Sequence, residues 1–351
     1  MPRAKKPEKK AAPPSKKAAA PRTKKTVKKA APPPGKVPAP RAKKPAKKAA
    51  PPPPPKKCGY AAIVGRTNVG KSTLLNQIVG KKIAIISDKP QTTRTRVLGV
   101  RTEKRGQIVF FDTPGVHKPG HELNRRMVQH IYDALHTADV LVHMVDITQS
   151  FGHGEQFVLD IVKNAGRRAV LVINKIDLVK KGKILEVIDF YRQQHDYAAY
   201  LPVSALTGDG VKDVLDELYG LLPEGEYFYE EGFITDSPER FLAAELIREK
   251  VLIHTRQELP FASAVVVDLW DESRRASGQI VRIEASILVE RDSQKGIVIG
   301  KGGQMLKTIG SEARRECEAL LGCRVYLGLF VRVEPNWRNN MTLLNQMGMI
   351  Q

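Results

Sequence analysis

The sequence predicts an α/β domain built on a mostly parallel sheet, then a smaller α+β domain, with a disordered basic arm ahead of both. Three observations carry this expectation. Between residues 60 and 222 compact apolar runs alternate with helix-length segments, as strands buried on both faces and separated by helices do. Beyond residue 237 the strand-like runs are grouped instead of alternating, which marks a different architecture. Finally, residues 1–57 hold 20 of the 58 Lys and Arg residues and a single acidic one.

The arm comes first in the chain. Lys, Arg, Pro and Ala fill 49 of its 57 positions, and its only large apolar residues are Met1, Val27 and Val37. Such a segment cannot bury a core and should be disordered. Residues 58–351 carry 38 basic and 36 acidic residues, so the formal charge of +21 belongs to a tail on a near-neutral body. We read the tail as a non-specific RNA tether whose grip weakens with salt. The body is long enough for two domains of roughly 100–200 residues. Its division is expected at 58–222, a linker at 223–239, and 240–351 with a C-terminal tail. Cys58, Cys317 and Cys323 have no metal-ligand spacing and are too few for a disulfide framework, which favours a reducing compartment. No apolar run approaches the roughly 18 residues that span a bilayer, and no apolar signal region follows the basic start. A cytoplasmic protein is expected.

In the first domain, strands are read at Tyr60 to Val64, 97–104, Ile108 to Asp112, Val140 to Val145, Ala169 to Ile173 and Tyr200 to Val203, with helices at Lys71 to Val79, 123–137 and 211–222. Ligands of such sheets sit at the carboxyl ends of the strands. There the sequence places Gly65-Arg66-Thr67-Asn68-Val69-Gly70-Lys71-Ser72, with Thr73 following. This is the pattern of a phosphate-binding loop between a strand and a helix. Its amides and the helix dipole favour phosphate, Lys71 would reach the β- and γ-phosphates, and Ser72 would ligate Mg²⁺.

Asn174-Lys175-Ile176-Asp177 follows the Ala169 to Ile173 strand, where a base-reading loop belongs. The Asp177 carboxylate can accept from N1–H and the exocyclic amine of guanine, and adenine offers neither donor on that edge. Sites built on such pairing discriminate by roughly 10⁴-fold or more, so GTP and GDP are the expected ligands. Ser204-Ala205-Leu206 would add a backbone contact to the guanine carbonyl. Asp112-Thr113-Pro114-Gly115 ends another strand: Asp112 can reach Mg²⁺ through water and the Gly115 N–H can touch the γ-phosphate. In Gln91-Thr92-Thr93-Arg94, Thr93 would complete the Mg²⁺ shell only with the third phosphate present, as in loops released by hydrolysis. Lys71, Thr93, Asp112 and Gly115 are thus the catalytic candidates. Val116 stands where a water-orienting Gln is found in Ras-like enzymes, so hydrolysis should be slow without a partner, another loop or a cation, for which Asn68 is the candidate ligand. His117 and His121 lie in a Pro/Gly loop without carboxylates arranged around them, so no metal pair is read there.

The second domain starts with the helix signal Ser237-Pro238, followed by Phe241, Leu242, Leu246, Ile247 and Leu252 at helical spacing. Strands at Ser263 to Leu269 and Ile280 to Val289, a glycine-rich loop, a helix to about Leu321 and a strand from Arg324 to Val333 complete an α-β-β-α-α-β order. Gly300-Lys301-Gly302-Gly303 matches the GXXG loop of KH domains, which clamps about four single-stranded nucleotides. Lys301 supplies charge, and Ile297, Val298 and Ile299 are expected to floor the bases. Residues 221–351 hold 16 basic and 19 acidic residues, so recognition must come from a focused loop, which suits single-stranded RNA better than duplex DNA. Met341, Leu343, Leu344 and Met347 suggest a packed terminal helix.

These residues together resemble the Era family of GTPases, bacterial small-subunit assembly factors. The similarity covers residues 58 to 351 through GRTNVGKSTLLN, QTTR, DTPGVHKP, NKID, the SAL segment, FITDSPERF, ELPFA and GIVIGKGGQMLKTIG. It implies an α/β P-loop GTPase domain, a type II KH domain, binding near the 3′ end of small-subunit (16S) ribosomal RNA, and GTP hydrolysis that permits release from the small ribosomal subunit. It also points to K⁺ at Asn68, to a monomer, and allows peripheral membrane association. The arm is outside the family pattern, and Asn339-Asn340 replace acidic residues common after the terminal Trp. Two other readings stand beside it: an RNA-binding scaffold that senses GTP without useful turnover, and a GTPase of transfer-RNA modification, which lacks support because no catalytic thiol motif is present. Deleting residues 1–57 should lower non-specific RNA affinity about tenfold at low salt and flatten its salt dependence, measured by filter binding across salt, with GTP turnover unchanged.

Overall fold

Five of the six strands of the first lobe end at the same edge of one sheet. The computed structural model describes residues 55–89, 92–115, 122–255, 259–275 and 280–349. The arm to residue 54, Gln91, Val116, His117 and His121 lie outside them. The chain runs β1 (Lys57–Val64), α1 (Lys71–Val79), β2 (Val97–Glu103), β3 (Gly106–Asp112), α2 (Glu122–Thr137), β4 (Val140–Asp146), α3 (His153–Asn164), β5 (Arg168–Asn174), α4 (Lys181–Arg192), β6 (Ala199–Val203) and α5 (Val211–Leu221). Sheet order is β2-β3-β1-β4-β5-β6, parallel throughout except β2, which runs antiparallel to β3.

Alternation along the strands builds two cores. Ala61, Ile63, Val142 and Val172 pack with Leu74 and Leu75 of α1 and Leu218 of α5. Their neighbours Ala62, Val64, Leu141 and Leu171 point the other way, onto Ile131 of α2 and Leu159 of α3. All seven residues of β4 are buried, which explains why its sequence is apolar on both faces save for His143 and the closing Asp146. Both glycines flanking α1, Gly70 and Gly80, take left-handed backbone, so the helix has a defined entry and exit.

The second lobe follows as α6 (Glu239–His254), α7 (Leu259–Ala262), β7 (Ala264–Asp271), β8 (Ile280–Val289), α8 (Asp292–Ile299), α9 (Gln304–Leu321), β9 (Arg324–Val333) and α10 (Met341–Gln346). β7 and β8 are antiparallel with a bulge between Val267 and Leu269, and β8 and β9 are parallel. The α-β-β-α-α-β order is present, with the short α7 inserted and α10 appended.

The segment expected as an interdomain linker is fastened down. Gln107, fully buried, accepts from the amides of Phe228 and Tyr229 and donates to the Tyr229 carbonyl. Val100 N–H donates to Ile234 O at 2.7 Å, and Tyr229 stacks on Phe233 at 4.4 Å. The aromatic residues that gave the stretch its unusual composition are what hold it to the sheet edge.

The described residues belong to one compact unit, and the two lobes share side chains. Ile85, ahead of β2, sits in the core of the second lobe. Leu123 and Met127 of α2 pack with Ala264, Leu288, Leu344 and Trp337. Trp337 is fully buried and its indole N–H donates to Ala262 O at 2.9 Å. Trp337→Ala should cost about 3–5 kcal/mol, seen as a lower urea midpoint for the second-lobe transition.

Candidate functional site

The carboxyl ends of β1, β3, β4, β5 and the turn after β6 converge on a cleft of about 550 Å³. The loop of residues 65–70 leaves β1 and enters α1 with Asn68 and Gly70 in left-handed backbone, at φ 63° and 103°. A Cβ on Gly70 would stand 2.3 Å from Asn174 Nδ2, so both conformation and space demand glycine here. Lys71 is buried and donates from Nζ to the carbonyls of Gly65 at 3.2 Å and Arg66 at 2.7 Å. Burial lowers its ammonium to about 8, against the fields of Asp112 and Glu155. Val69 buries its side chain in the core and contributes only backbone to the cleft.

Three side-chain oxygens meet beside Lys71. Ser72 Oγ lies 2.8 Å from Thr93 Oγ1 and donates to Asp112 Oδ2 at 2.6 Å; Thr93 Oγ1 reaches the same oxygen at 3.4 Å. Burial raises the Asp112 carboxyl to about 6, despite Lys71, Ser72 and Thr93 pulling it down. Its other oxygen, Oδ1, is buried with no hydrogen-bond partner among the described residues. A hydroxyl pair and an unsatisfied carboxylate oxygen fit a hard oxygen-seeking cation such as Mg²⁺. Next to them Thr113 Oγ1 donates to Ile63 O at 2.8 Å, Pro114 is buried, and a Cβ on Gly115 would meet Thr67 Cγ2 at 2.5 Å. The Gly115 backbone is thereby held against the phosphate loop.

Asn174 braces both halves of the cleft. Its Nδ2 donates to Val69 O at 2.7 Å and its Oδ1 accepts from Ala205 N–H at 2.9 Å. The Ala205 amide is therefore engaged by Asn174 in this conformation. Ser204 is buried and Leu206 exposed. Asp177 is exposed at the rim, where a seated base would cover it. Asn68 Nδ2 donates to Asp88 O at 2.5 Å, tying the phosphate loop to the segment that leads to Thr93.

One participant escaped sequence reading. Asp146, at the end of β4, accepts from Lys175 Nζ at 2.6 Å and from the Thr148 amide and hydroxyl. Burial pushes its carboxyl up, but Lys175 and Thr148 outweigh it and hold it below the usual carboxylate range. That bond fixes Lys175, itself in left-handed backbone, along the cleft. An aspartate closing a buried strand at the ligand edge was the available signal.

In the second lobe, Gly300, Gly302 and Gly303 all have positive φ, and a Cβ on Gly300 would lie 2.6 Å from Met305 Cβ. Lys301 is exposed. The expected apolar floor needs correction. Residues 297–299 are the last turn of α8, so only one face is outward: Ile297 is exposed, Ile299 is partly buried against the core, and Val298 is fully buried in it. Val298 cannot touch a base.

Residues 60–175 match the family described as "50S ribosome-binding GTPase", and residues 265–338 match the KH domain. The chain is 48% identical over 294 residues to GTPase Era of Geobacter metallireducens, covering 84% of this chain and 98% of that one. It is 45% identical over 298 residues to GTPase Era of Staphylococcus epidermidis, with the same coverage. Its fold is similar to that of an Aquifex aeolicus Era variant bound to GDP·AlF4⁻, with a TM-score of 0.80 and 40% identity over 84% of this chain and 100% of that one. It is equally similar, at TM-score 0.80 and 39% identity with the same coverage, to Era in complex with MgGDPNP and nucleotides 1506–1542 of 16S ribosomal RNA. Gly70→Ala should weaken GDP binding tenfold or more through left-handed strain alone, measured by calorimetry, with further loss as Asn174 is displaced.

Proposed function

The chain belongs to the Era family of GTPases, and from that membership we propose a GTP-hydrolysing switch that binds the 3′ region of small-subunit ribosomal RNA and assists small-subunit assembly. One observation supports the coupling of the two activities. Thr93, whose hydroxyl joins the Ser72–Asp112 oxygens, follows Thr92, whose carbonyl accepts a hydrogen bond from Arg248 of α6. The cation-seeking cluster and the KH lobe are one peptide apart. Arg94 on the other side donates to Ser263 O at 2.9 Å.

In this reading the amides of Gly65, Arg66, Thr67, Asn68, Val69 and Gly70, with Lys71, Ser72 and Thr73, hold the phosphates. Asn174, Lys175 and Asp177 with the turn at Ser204, Ala205 and Leu206 hold guanine. Ser72 and Thr93, with Asp112 behind them, would hold Mg²⁺, which would supply positive charge against the phosphates. Thr113 and Pro114 position the Gly115 N–H for the γ-phosphate. Asn68 supplies a K⁺ ligand, and turnover is slow until a partner contributes what Val116 lacks. RNA is clamped at Gly300 to Gly303, with Ile297 and Ile299 as the apolar contacts. We take 58–222 and 240–351 as the two domains, joined by 223–239. The protein acts as a cytoplasmic monomer on the small ribosomal subunit, with any membrane contact peripheral.

Lys71→Ala should cut GTP turnover by about 10²–10³-fold, the usual cost of losing a charge-stabilising donor; turnover equal to the parent protein sinks the assignment. Crosslinking of the GTP-loaded chain to total cellular RNA should recover the 3′ end of small-subunit RNA, and a scattered footprint would refute the RNA half.

A further inference from the structure

A second cavity lies away from the nucleotide cleft, where the segment after Thr93 meets α6, β7 and the C-terminal residues. It encloses about 750 Å³, the size of site that takes a drug-sized ligand. Its walls are mostly apolar, with Leu98, Phe241, Val266, Trp337 and Met347 among them. Into this setting the fold brings Arg94 and Arg248, 5% and 2% exposed. Such burial of two guanidinium groups is costly unless each is well paired.

Arg248 is paired on one side only. Its Nε and Nη2 grip the Glu245 carboxylate at 2.7 and 2.6 Å, and Nη2 also donates to Thr92 O. Among the described residues nothing accepts from its buried Nη1. Of the three acids on the same wall, Asp268 accepts from Ser286 Oγ at 2.6 Å and Glu245 is spent on Arg248, while Asp236 stands against four arginines, Arg94, Arg96, Arg240 and Arg248. Burial, and after it the Arg248 charge, lowers the Arg94 guanidinium to about 9, against the field of Glu245.

We propose that this cavity is a second ligand site, taking a small amphipathic oxyanion whose carboxylate, phosphate or sulfonate meets Arg248 Nη1 while its apolar body packs on Trp337 and Phe241. An oxyanion there completes the arginine's hydrogen bonding in a dry setting, where charge-assisted bonds are strongest. Because the same guanidinium holds the Thr92 carbonyl, the occupant bears on the loop that carries Thr93. The site itself does not depend on the nucleotide reading.

The test uses two fluorescent probes of the same shape, 8-anilinonaphthalene-1-sulfonate and its uncharged analogue N-phenyl-1-naphthylamine, titrated into the full chain with GDP. The sulfonate should bind saturably at one site and about tenfold more tightly than the neutral probe, as expected for one hydrogen bond to a charged group. Arg248→Met should erase that preference while keeping the neutral probe. Ala244→Leu, which fills the cavity from α6 one turn ahead of Arg248 and keeps the guanidinium, should weaken both probes at least tenfold and leave GDP affinity unchanged. Equal binding of the two probes by the parent chain, or sulfonate binding unaltered in Ala244→Leu, overturns the proposal. Failure of the parent chain to bind GDP would instead fault the nucleotide cleft and leave the comparison of the two probes standing.

Discussion

The buried guanidinium of Arg248 is the constraint on which the arrangement of the two lobes rests. A charge at 2% exposure is tolerated only with partners in place. Two of its nitrogens find theirs in Glu245 on its own helix, and one of these also finds the Thr92 carbonyl on the other lobe. The helix therefore cannot bury this face without the loop being where it is. The loop in turn carries the hydroxyl that completes the oxygen cluster at Asp112. A local electrostatic requirement thus sets the position of a segment that nucleotide chemistry also uses.

Neighbouring contacts repeat the pattern. Glu249, the next residue of α6, accepts from the Ile86 amide at 2.8 Å and from Lys82 Nζ at 2.6 Å, and Lys82 reaches Glu316 of α9 as well. Lys250 pairs with both acids. Three successive charged residues of one helix are buried, which is unusual for a surface helix and follows from its lying between a sheet, another helix and the first lobe. Since ionic contacts of this kind are weak when exposed and costly when broken under cover, the junction resists partial opening.

Much of this was legible in the chain. Strand positions at Ile280 to Val289 and Arg324 to Val333 agree with the structure to the residue, because apolar periodicity and glycine punctuation act locally. The phosphate loop, the NKxD loop and the DTPG turn announce themselves through spacing, since backbone amides and short side chains leave little freedom in how they surround phosphate and base. What stayed hidden depends on tertiary placement. Asp146 looks like any aspartate at a strand end until Lys175 arrives beside it. Val298 reads as one of three equivalent apolar residues until the helix turns it inward. Arg248 reads as a solvated helix charge, and no sequence signal shows that the opposite lobe covers it.

The strap fastened along the sheet edge has a mechanical consequence. Its last anchor is the Ile234 carbonyl, and Pro238 already accepts the first hydrogen bonds of α6, so only the three residues from Thr235 to Ser237 lie between them. At the ~3.3–3.6 Å per residue of an extended backbone, that slack is short beside the width of either lobe, and Pro238 stiffens its end. So short a tether would confine any relative movement to turning about this point. On this tether alone the lobe could swing as a door does on a hinge but could not drift off as on a leash.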